Sequence, residues 1–168
     1  MTGTDYPALL RALSACGVEY IIAGGVSAVL QGAPINTFDL DIVHCRSEDN
    51  IHRMLDALVR MEAHYRMNPE LRPDASHLSS PGHQLLMTRY GPLDLLGILD
   101  PGLDYTQLLD QSVLMDLSDG LRVRVLALEA LIRSKESAGR EKDHAVLPIL
   151  RRTLEEQRRR AAPPPTQL

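Results

Sequence analysis

The sequence predicts a mixed α/β (α+β) fold in which one mixed β-sheet is flanked by helices and the C-terminal elements are helices. An apolar run ends in a glycine pair and is followed by a short helical segment and a second apolar run, as in a βαβ-like unit. Two later pairs of apolar segments, each separated by turn residues, indicate antiparallel hairpins. From residue 128 onward, apolar residues recur at helical spacing.

The first half of the chain alternates helical and strand patterns. Residues 6–16 have apolar side chains at helical spacing, and Gly17 suits the position just past a helix C-terminus. Residues 18–23 are predicted to form a buried strand, the residues after Gly24 a short helix, and residues 38–43 a second strand.

The second half continues with a helix, a loop and two hairpins. Ser47 is a suitable N-cap for a helix whose apolar stripe covers residues 51–61. Residues 67–81, rich in Pro, Ser and Asp, form the longest loop-like region. The remaining predicted elements are a hairpin of residues 83–90 and 92–98, a short helix at 104–110, a hairpin of residues 112–117 and 121–126, a helix at 128–138 that stops at Gly139, and a helix at 144–158.

The bulk composition is typical of one globular domain, which we place at residues 1–158, followed by a disordered tail at 159–168. The net charge of −4 argues against a generally cationic nucleic-acid binder. No apolar run is long enough for a membrane helix and the N-terminus lacks a leader pattern, so we expect a cytoplasmic protein without membrane contact. Cys16 and Cys45 are too few for a disulfide framework and lack the spacing of a zinc site.

Three aspartates stand in apolar strand contexts. Side chains alternate along a strand, so Asp39 and Asp41 point to the same side and repel each other. Asp94 lies among leucines, where an unpaired carboxylate is costly. Three carboxylates on neighbouring strands beside the glycine turn at 24–25 provide the ligands that two Mg²⁺ ions need for phosphoryl or nucleotidyl transfer. The glycine spacing does not fit G-x-G-x-x-G, and the absence of lysine from residues 1–134 excludes a P-loop.

The ordered motifs resemble a known superfamily. AGG at residues 23–25, TFDLDIV at 37–43 and LDLLG at 93–97 resemble the polymerase-β-like nucleotidyltransferases, most of all their small bacterial members, including those of toxin–antitoxin pairs. The segment LALEALIRSKESAGREKD at 126–143 is similar to the C-terminal helical segment of that group. The resemblance covers residues 18–150 and implies the minimal nucleotidyltransferase fold.

The resemblance implies an Mg²⁺-dependent enzyme that transfers a nucleoside monophosphate from an NTP to a hydroxyl of a protein, an RNA or a small molecule. The implied catalytic residues and ligands of two metal ions are Asp39, Asp41 and Asp94. Asp94 would also take the proton of the acceptor hydroxyl. The implied nucleotide-binding residues are Gly24, Gly25, Ser27, Lys135 and Lys142, with Arg140 and Asp143 in the same C-terminal segment.

The sequence departs from the family pattern in one respect. Close relatives often carry an arginine just before T-x-D-x-D, where this chain has Pro34, Ile35 and Asn36. The alternative is therefore a catalytically inactive binding protein of the same fold, such as an antitoxin-like partner. An antibiotic adenylyltransferase shares the chemistry and differs only in its acceptor. Because the chain shows no second domain, we expect the acceptor to be docked by a protein partner or by a second copy in a homodimer.

Each motif also has a purely structural explanation. The glycine pair is compatible with a tight strand–helix turn, and the two aspartates of the strand with one solvent-facing side. Asp94 is compatible with an ion pair to an arginine such as Arg89. His44 and Cys45 suggest zinc, but adjacent strand residues face opposite ways and do not easily share an ion. The joint occurrence of the motifs in the right order favours the metal site.

Overall fold

A computed structural model describes residues 3–118 and 120–162 of the chain. The helices are α1 (Tyr6–Ala15), α2 (Gly24–Leu30), α3 (Glu48–Arg60), α4 (Ala75–Ser79), α5 (Tyr105–Leu108), α6 (Leu128–Ala138) and α7 (Glu141–Ala161). The strands are β1 (Tyr20–Ile22), β2 (Leu40–His44), β3 (His64–Tyr65), β4 (His83–Thr88), β5 (Gly91–Leu96), β6 (Ser112–Asp116) and β7 (Arg122–Leu126). A 3₁₀ turn at Leu109–Gln111 follows α5.

One mixed sheet organises the fold. Within the described ranges, seven strands are hydrogen-bonded in the order β3-β4-β5-β2-β1-β7-β6. β2 runs parallel to β5 and β1 runs parallel to β7, whereas the other neighbours are antiparallel. The parallel register sets Asp41 opposite Asp94. The predicted class, a mixed sheet flanked by helices with helices at the C-terminal end, is confirmed.

Apolar side chains pack on both sides of the sheet. Leu40 and Ile42 of β2 belong to a core that includes residues of α1 and α3, whereas Val43 belongs to a second core with residues of α6 and α7. Since neighbouring strand residues face opposite sides, Asp41 shares the side of Val43. The predicted aspartate site therefore lies on the side of the sheet that α6 and α7 cover.

Most predicted elements are confirmed. Both hairpins form, although the turn of the second includes Asp119, which lies outside the described residues. Ser47 accepts a hydrogen bond from the Asn50 N–H and caps α3 as expected. α6 ends at Ala138, and Gly139 follows it with a φ of +60°, the left-handed conformation that favours glycine.

Several predicted boundaries differ from the observed ones. β1 spans Tyr20–Ile22 where residues 18–23 were predicted. β2 begins at Leu40 instead of residue 38, so Asp39 directly precedes the strand. α7 begins at Glu141 instead of residue 144, and the Arg140 side chain pairs with Asp143 across its first turn. The helix also continues to Ala161, so residues 159–161 of the predicted tail are helical. Residue 162 follows the helix, and residues 163–168 lie outside the described residues.

Two short elements lie where none was predicted. The loop-like region 67–81 contains α4, whose start is fixed by a capping box between Asp74 and His77. The two residues of β3 pair with β4 at the edge of the sheet. Neither element is long enough to show a periodic pattern, and β3 brings the following residue, Arg66, toward the aspartate site.

Candidate metal and nucleotide site

The three predicted carboxylates come together. Asp41 on β2 and Asp94 on β5 are register partners in adjacent parallel strands, and Asp39 precedes β2 on the same side. One carboxylate oxygen from each residue lies within 4.8 Å of one from each of the others. Among the residues that the structure describes, this is the one group of His, Cys, Asp and Glu side chains arranged to hold a metal ion.

The glycine turn lies directly against Asp41. Gly24 has a φ of +57°, and a Cβ atom built there would lie 1.9 Å from Asp41 Oδ2. A Cβ at Gly25 would lie 2.6 Å from Thr37 Oγ1. The Ala23 N–H donates to the Asp41 carbonyl at 2.9 Å. Gly24 thus allows the first turn of α2 to contact Asp41, and Gly25 allows it to pack against Thr37, which side chains at either position would prevent.

Ser27 supports this turn from inside. Its exposed fraction is 0%, and its hydroxyl donates to the Gly24 carbonyl oxygen at 2.8 Å. The sequence predicted that Ser27 binds the nucleotide. In the structure the hydroxyl is inside the first turn of α2, where it fixes the carbonyl of the glycine that contacts Asp41.

Burial and neighbouring negative charge raise the pKa of Asp41 and of Asp94. The pKa of Asp41 rises to about 7, first because of burial and then because of the charges of Asp39 and Asp94. Lys135 and Lys142 act in the opposite direction on the Asp41 pKa. The pKa of Asp94 is also raised, chiefly by burial. In this arrangement the negative charge of the site is only partly compensated by the protein.

Arg66 is a site residue that the sequence did not reveal. Its Nη2 forms an ion pair with Asp94 Oδ1 and also donates to the Leu86 carbonyl at 3.3 Å. The structural alternative had assigned Asp94 to Arg89, but Arg89 pairs with Glu62 at 3.2 Å. Arg66 follows a two-residue strand, so no sequence periodicity indicates that its side chain reaches across β4 to Asp94.

The end of α6 and the start of α7 carry the lysines that lie near the carboxylates. The chain has only two lysines, Lys135 and Lys142, and both are close enough to lower the pKa of Asp41. Asp143, whose side chain is 1% exposed, accepts hydrogen bonds from Lys135 Nζ and from Arg140 Nε, each at 2.7 Å. Arg140, expected near phosphates or acceptor, is thus paired with Asp143, and Lys142 is exposed.

The residues that suggested zinc have other contacts. His44 is 1% exposed and its Nε2 lies 2.8 Å from the Leu78 carbonyl oxygen. The Cys45 thiol donates to Ser47 Oγ at 3.6 Å. Burial lowers the pKa of His44, so its ring is neutral at pH 7. The two side chains therefore have separate partners, with His44 at the end of β2 and Cys45 just after it.

The fold is shared with a solved structure. The chain is similar to the crystal structure of a putative nucleotidyltransferase (TM1012) from Thermotoga maritima, with a TM-score of 0.51 and 18% identity over 92% of this chain and 97% of that one. No family model and no curated protein matches the sequence. The similarity confirms, at the level of the fold, the resemblance that the motifs predict.

No helix within the described residues combines the length and apolar character needed to cross a bilayer.

Proposed function

We propose that this protein is a divalent-metal-dependent nucleotidyltransferase that transfers a nucleoside monophosphate from an NTP to an acceptor hydroxyl. The observation that carries the proposal is the convergence of Asp39, Asp41 and Asp94, with ligand oxygens within 4.8 Å, beside a glycine turn that contacts Asp41. The fold shared with TM1012 supports the general class.

The donor set fits a hard divalent cation such as Mg²⁺. All three groups offer carboxylate oxygens, which Mg²⁺ prefers, with phosphate oxygens and water completing its coordination. Burial and then the charges of Asp39 and Asp94 raise the pKa of Asp41, and a bound cation would oppose both effects. Asp39 and Asp41 would hold the ion that carries the NTP phosphates. A bound ion supplies charge neutralisation at the phosphates and polarises the phosphorus–oxygen bond that breaks.

In the proposed reaction each side chain of the site has a separate role. The acceptor oxygen attacks the α-phosphorus, the bond from that phosphorus to the bridging oxygen breaks, and pyrophosphate leaves. Asp94 takes the proton of the acceptor hydroxyl, and its raised pKa makes it a stronger base than an ordinary carboxylate. Lys135 and Lys142, which lower the pKa of Asp41, would offset the charge of the phosphates, and Asp143 pairs with Lys135.

Two observations favour a second function. Arg66 forms an ion pair with Asp94, the carboxylate that would act as the base. The T-x-D-x-D motif is preceded by Pro34, Ile35 and Asn36, none of which is basic. A site whose base is paired and that lacks this basic residue would bind a nucleotide without transferring its nucleoside monophosphate. The alternative is therefore a nucleotide-binding protein that keeps the fold and acts through a protein partner.

Thermal unfolding in the presence of each of the four NTPs, with and without Mg²⁺, tests the proposal. Ligands that bind only the folded state raise its apparent stability. We expect Mg²⁺-dependent stabilisation by at least one NTP, its loss in Asp39→Asn/Asp41→Asn, and its retention in Asp116→Asn, which removes an exposed carboxylate paired with Arg122. Absence of stabilisation by any NTP contradicts nucleotide binding.

Turnover is measured separately with the stabilising NTP. Release of pyrophosphate, together with transfer of an α-phosphate label to a protein, RNA or small-molecule acceptor, supports the enzyme. Metal-dependent binding with neither product supports the alternative. Protein, RNA and small-molecule acceptors are assayed in separate reactions, so the reaction that yields a labelled product identifies the class of acceptor.

A further inference from the structure

The ion pair between Arg66 and Asp94 joins the edge of the sheet to the centre of the site. Arg66 follows β3, and its backbone N–H donates to the Leu85 carbonyl at 3.0 Å. From there the side chain crosses β4 to reach Asp94 on β5. The Arg66 side chain is 32% exposed, whereas that of Asp94 is 10% exposed. The guanidinium therefore lies between solvent and the most buried carboxylate of the site.

The contact differs from an ordinary surface ion pair. Arg66 Nε is buried and has no hydrogen-bond partner in the described part of the chain. Leaving a buried donor unpaired costs free energy, so the contacts of Nη2 with Asp94 and with the Leu86 carbonyl must offset that cost. The charge of Asp94 explains the position, because a carboxylate gains most from a guanidinium where water is scarce.

This cation and a metal ion have the same target. Asp94 offers an oxygen within 4.8 Å of oxygens of Asp39 and Asp41, which is the metal-binding arrangement. Arg66 already binds one oxygen of Asp94. A divalent ion that approaches Asp94 meets the positive guanidinium of Arg66, which is already in contact with the same carboxylate. The two positive charges repel each other, and the repulsion is stronger near a buried carboxylate than in bulk water.

We infer that Arg66 competes with the acceptor-side metal ion for Asp94. The inference rests on the proposed function and specifies how its site is loaded. Without nucleotide, the guanidinium occupies Asp94 and keeps free metal ions weakly bound. The phosphates of an NTP offer the guanidinium another anionic partner, since arginine binds phosphate and carboxylate with the same fork of donors. Full metal occupancy of the three aspartates then follows nucleotide binding.

Mn²⁺ binding to the nucleotide-free protein tests this competition. Mn²⁺ takes the same oxygen ligands and is titrated by calorimetry and by electron paramagnetic resonance of the free ion. We expect Arg66→Met to bind Mn²⁺ at least about tenfold more tightly than the natural sequence, because a cation in contact with a carboxylate shifts its proton affinity by a comparable factor. Arg89→Met removes an arginine whose partner is the exposed Glu62 and leaves the affinity unchanged.

The stability of the variant gives a second readout. Arg66→Met leaves three carboxylates with one compensating cation fewer, so we expect its midpoint of thermal unfolding to fall without metal and to recover with Mn²⁺. If Arg66→Met does not fold, Arg66→Gln removes the charge and keeps a donor for the Leu86 carbonyl. In an Asp94→Asn background, the Arg66 substitution no longer increases Mn²⁺ affinity.

The opposite results overturn the inference. A weaker affinity for Mn²⁺ in Arg66→Met means that Arg66 orients Asp94 for the metal, and an unchanged affinity means that it is a structural pair only. In both cases NTP-dependent Mn²⁺ binding by the natural sequence leaves the proposed function intact. If neither protein binds Mn²⁺, even with NTP present, the proposed function and the inference are both wrong.

Discussion

A Cβ atom at Gly24 would lie 1.9 Å from Asp41 Oδ2, so these two residues occupy their positions only because residue 24 has no side chain. The φ of +57° at Gly24 is also one that other residues rarely adopt. The glycine turn and the carboxylate cluster are therefore one packed unit. Residue 24 determines how closely the start of α2 approaches the candidate metal ligands.

The substitution Gly24→Ala tests this contact. The methyl group must displace Asp41 or the first turn of α2, in addition to the backbone strain of about 1–2 kcal/mol at a left-handed position. We expect a loss of unfolding free energy above that strain and the loss of Mg²⁺-dependent stabilisation by NTP. Urea unfolding and thermal unfolding with NTP measure the two effects.

Gly17→Ala is the matched control for backbone strain. Gly17 follows α1 with a φ of +67°, and a Cβ there would lie 3.5 Å from Arg53 Cδ, an ordinary van der Waals contact. We expect a loss of about 1–2 kcal/mol with nucleotide binding unchanged. Equal losses in both variants, with binding retained in both, contradict a role for the Gly24–Asp41 contact.

The raised pKa of Asp41 predicts a pH-dependent stability in the absence of metal. The folded carboxyl holds its proton up to a pH of about 7, whereas in the unfolded chain it loses the proton near its usual pKa of 3.8. The folded state binds more protons between these values, so the free energy of unfolding falls as the pH rises from about 4 to 7, by at most about 4 kcal/mol from this group. Urea unfolding across this range measures the slope.

Asp41→Asn separates this group from the others that titrate. We expect the variant to lose stability less steeply between pH 4 and 7, with a remaining slope from Asp94, whose pKa is raised in the same direction. Asp116→Asn keeps the full slope, because Arg122 lowers the pKa of Asp116 and its titration lies below this range. An identical slope in Asp41→Asn and the natural sequence contradicts the prediction.

The sequence predicted the carboxylate site because the relevant signals are local. Asp39 and Asp41 stand two residues apart in an apolar run, and Asp94 stands in another, so their strand context alone raises the question of compensation. The pairing of β2 with β5 supplies the rest. The same locality explains why α6 ends at the predicted residue, since Gly139 marks its end.

The contacts that the sequence did not reveal depend on tertiary structure. Arg66 reaches Asp94 across a neighbouring strand, and its own strand has only two residues, so neither periodicity nor spacing connects the two. The family resemblance implies that Ser27 binds the nucleotide, which stays a prediction, whereas the hydrogen bond of its hydroxyl to the Gly24 carbonyl depends on packing. Asp143 was grouped with Lys135 by sequence, whereas its burial became visible only in the fold.

Asp143 is expected to be the most costly acidic residue to replace. It is 1% exposed and pairs with Lys135 and Arg140, so Asp143→Asn leaves Lys135 without its counter-charge and should lower the free energy of unfolding by about 3 kcal/mol. Its partners hold the pKa of Asp143 below the usual range. This contribution is present above the usual carboxyl pKa and is lost as the pH falls through the lower folded value.

Urea unfolding at pH 7 and at pH 3 measures both effects, with the difference from the natural sequence shrinking at the lower pH. Glu136→Gln is the control, because Glu136 lies on α6 next to Lys135 and pairs with Arg151 at the surface. An exposed pair of this kind contributes less than about 1 kcal/mol. A cost for Asp143→Asn no larger than for Glu136→Gln would show that the buried pair does not stabilise the α6–α7 turn.

Chemical labelling of the two lysines tests whether they lie in the proposed nucleotide site. Lys142 is exposed and should react readily with an amine-acetylating reagent, whereas Lys135 is paired with Asp143 and 16% exposed and should react slowly. If Lys142 contacts the phosphates, a saturating Mg²⁺–NTP complex protects it, and mass spectrometry of the peptide measures the protection. The Asp39→Asn/Asp41→Asn variant, which cannot hold the metal, should show none. Full labelling of Lys142 in a protein that the same NTP stabilises would place this lysine outside the site and leave Lys135 as the cation nearest the phosphates.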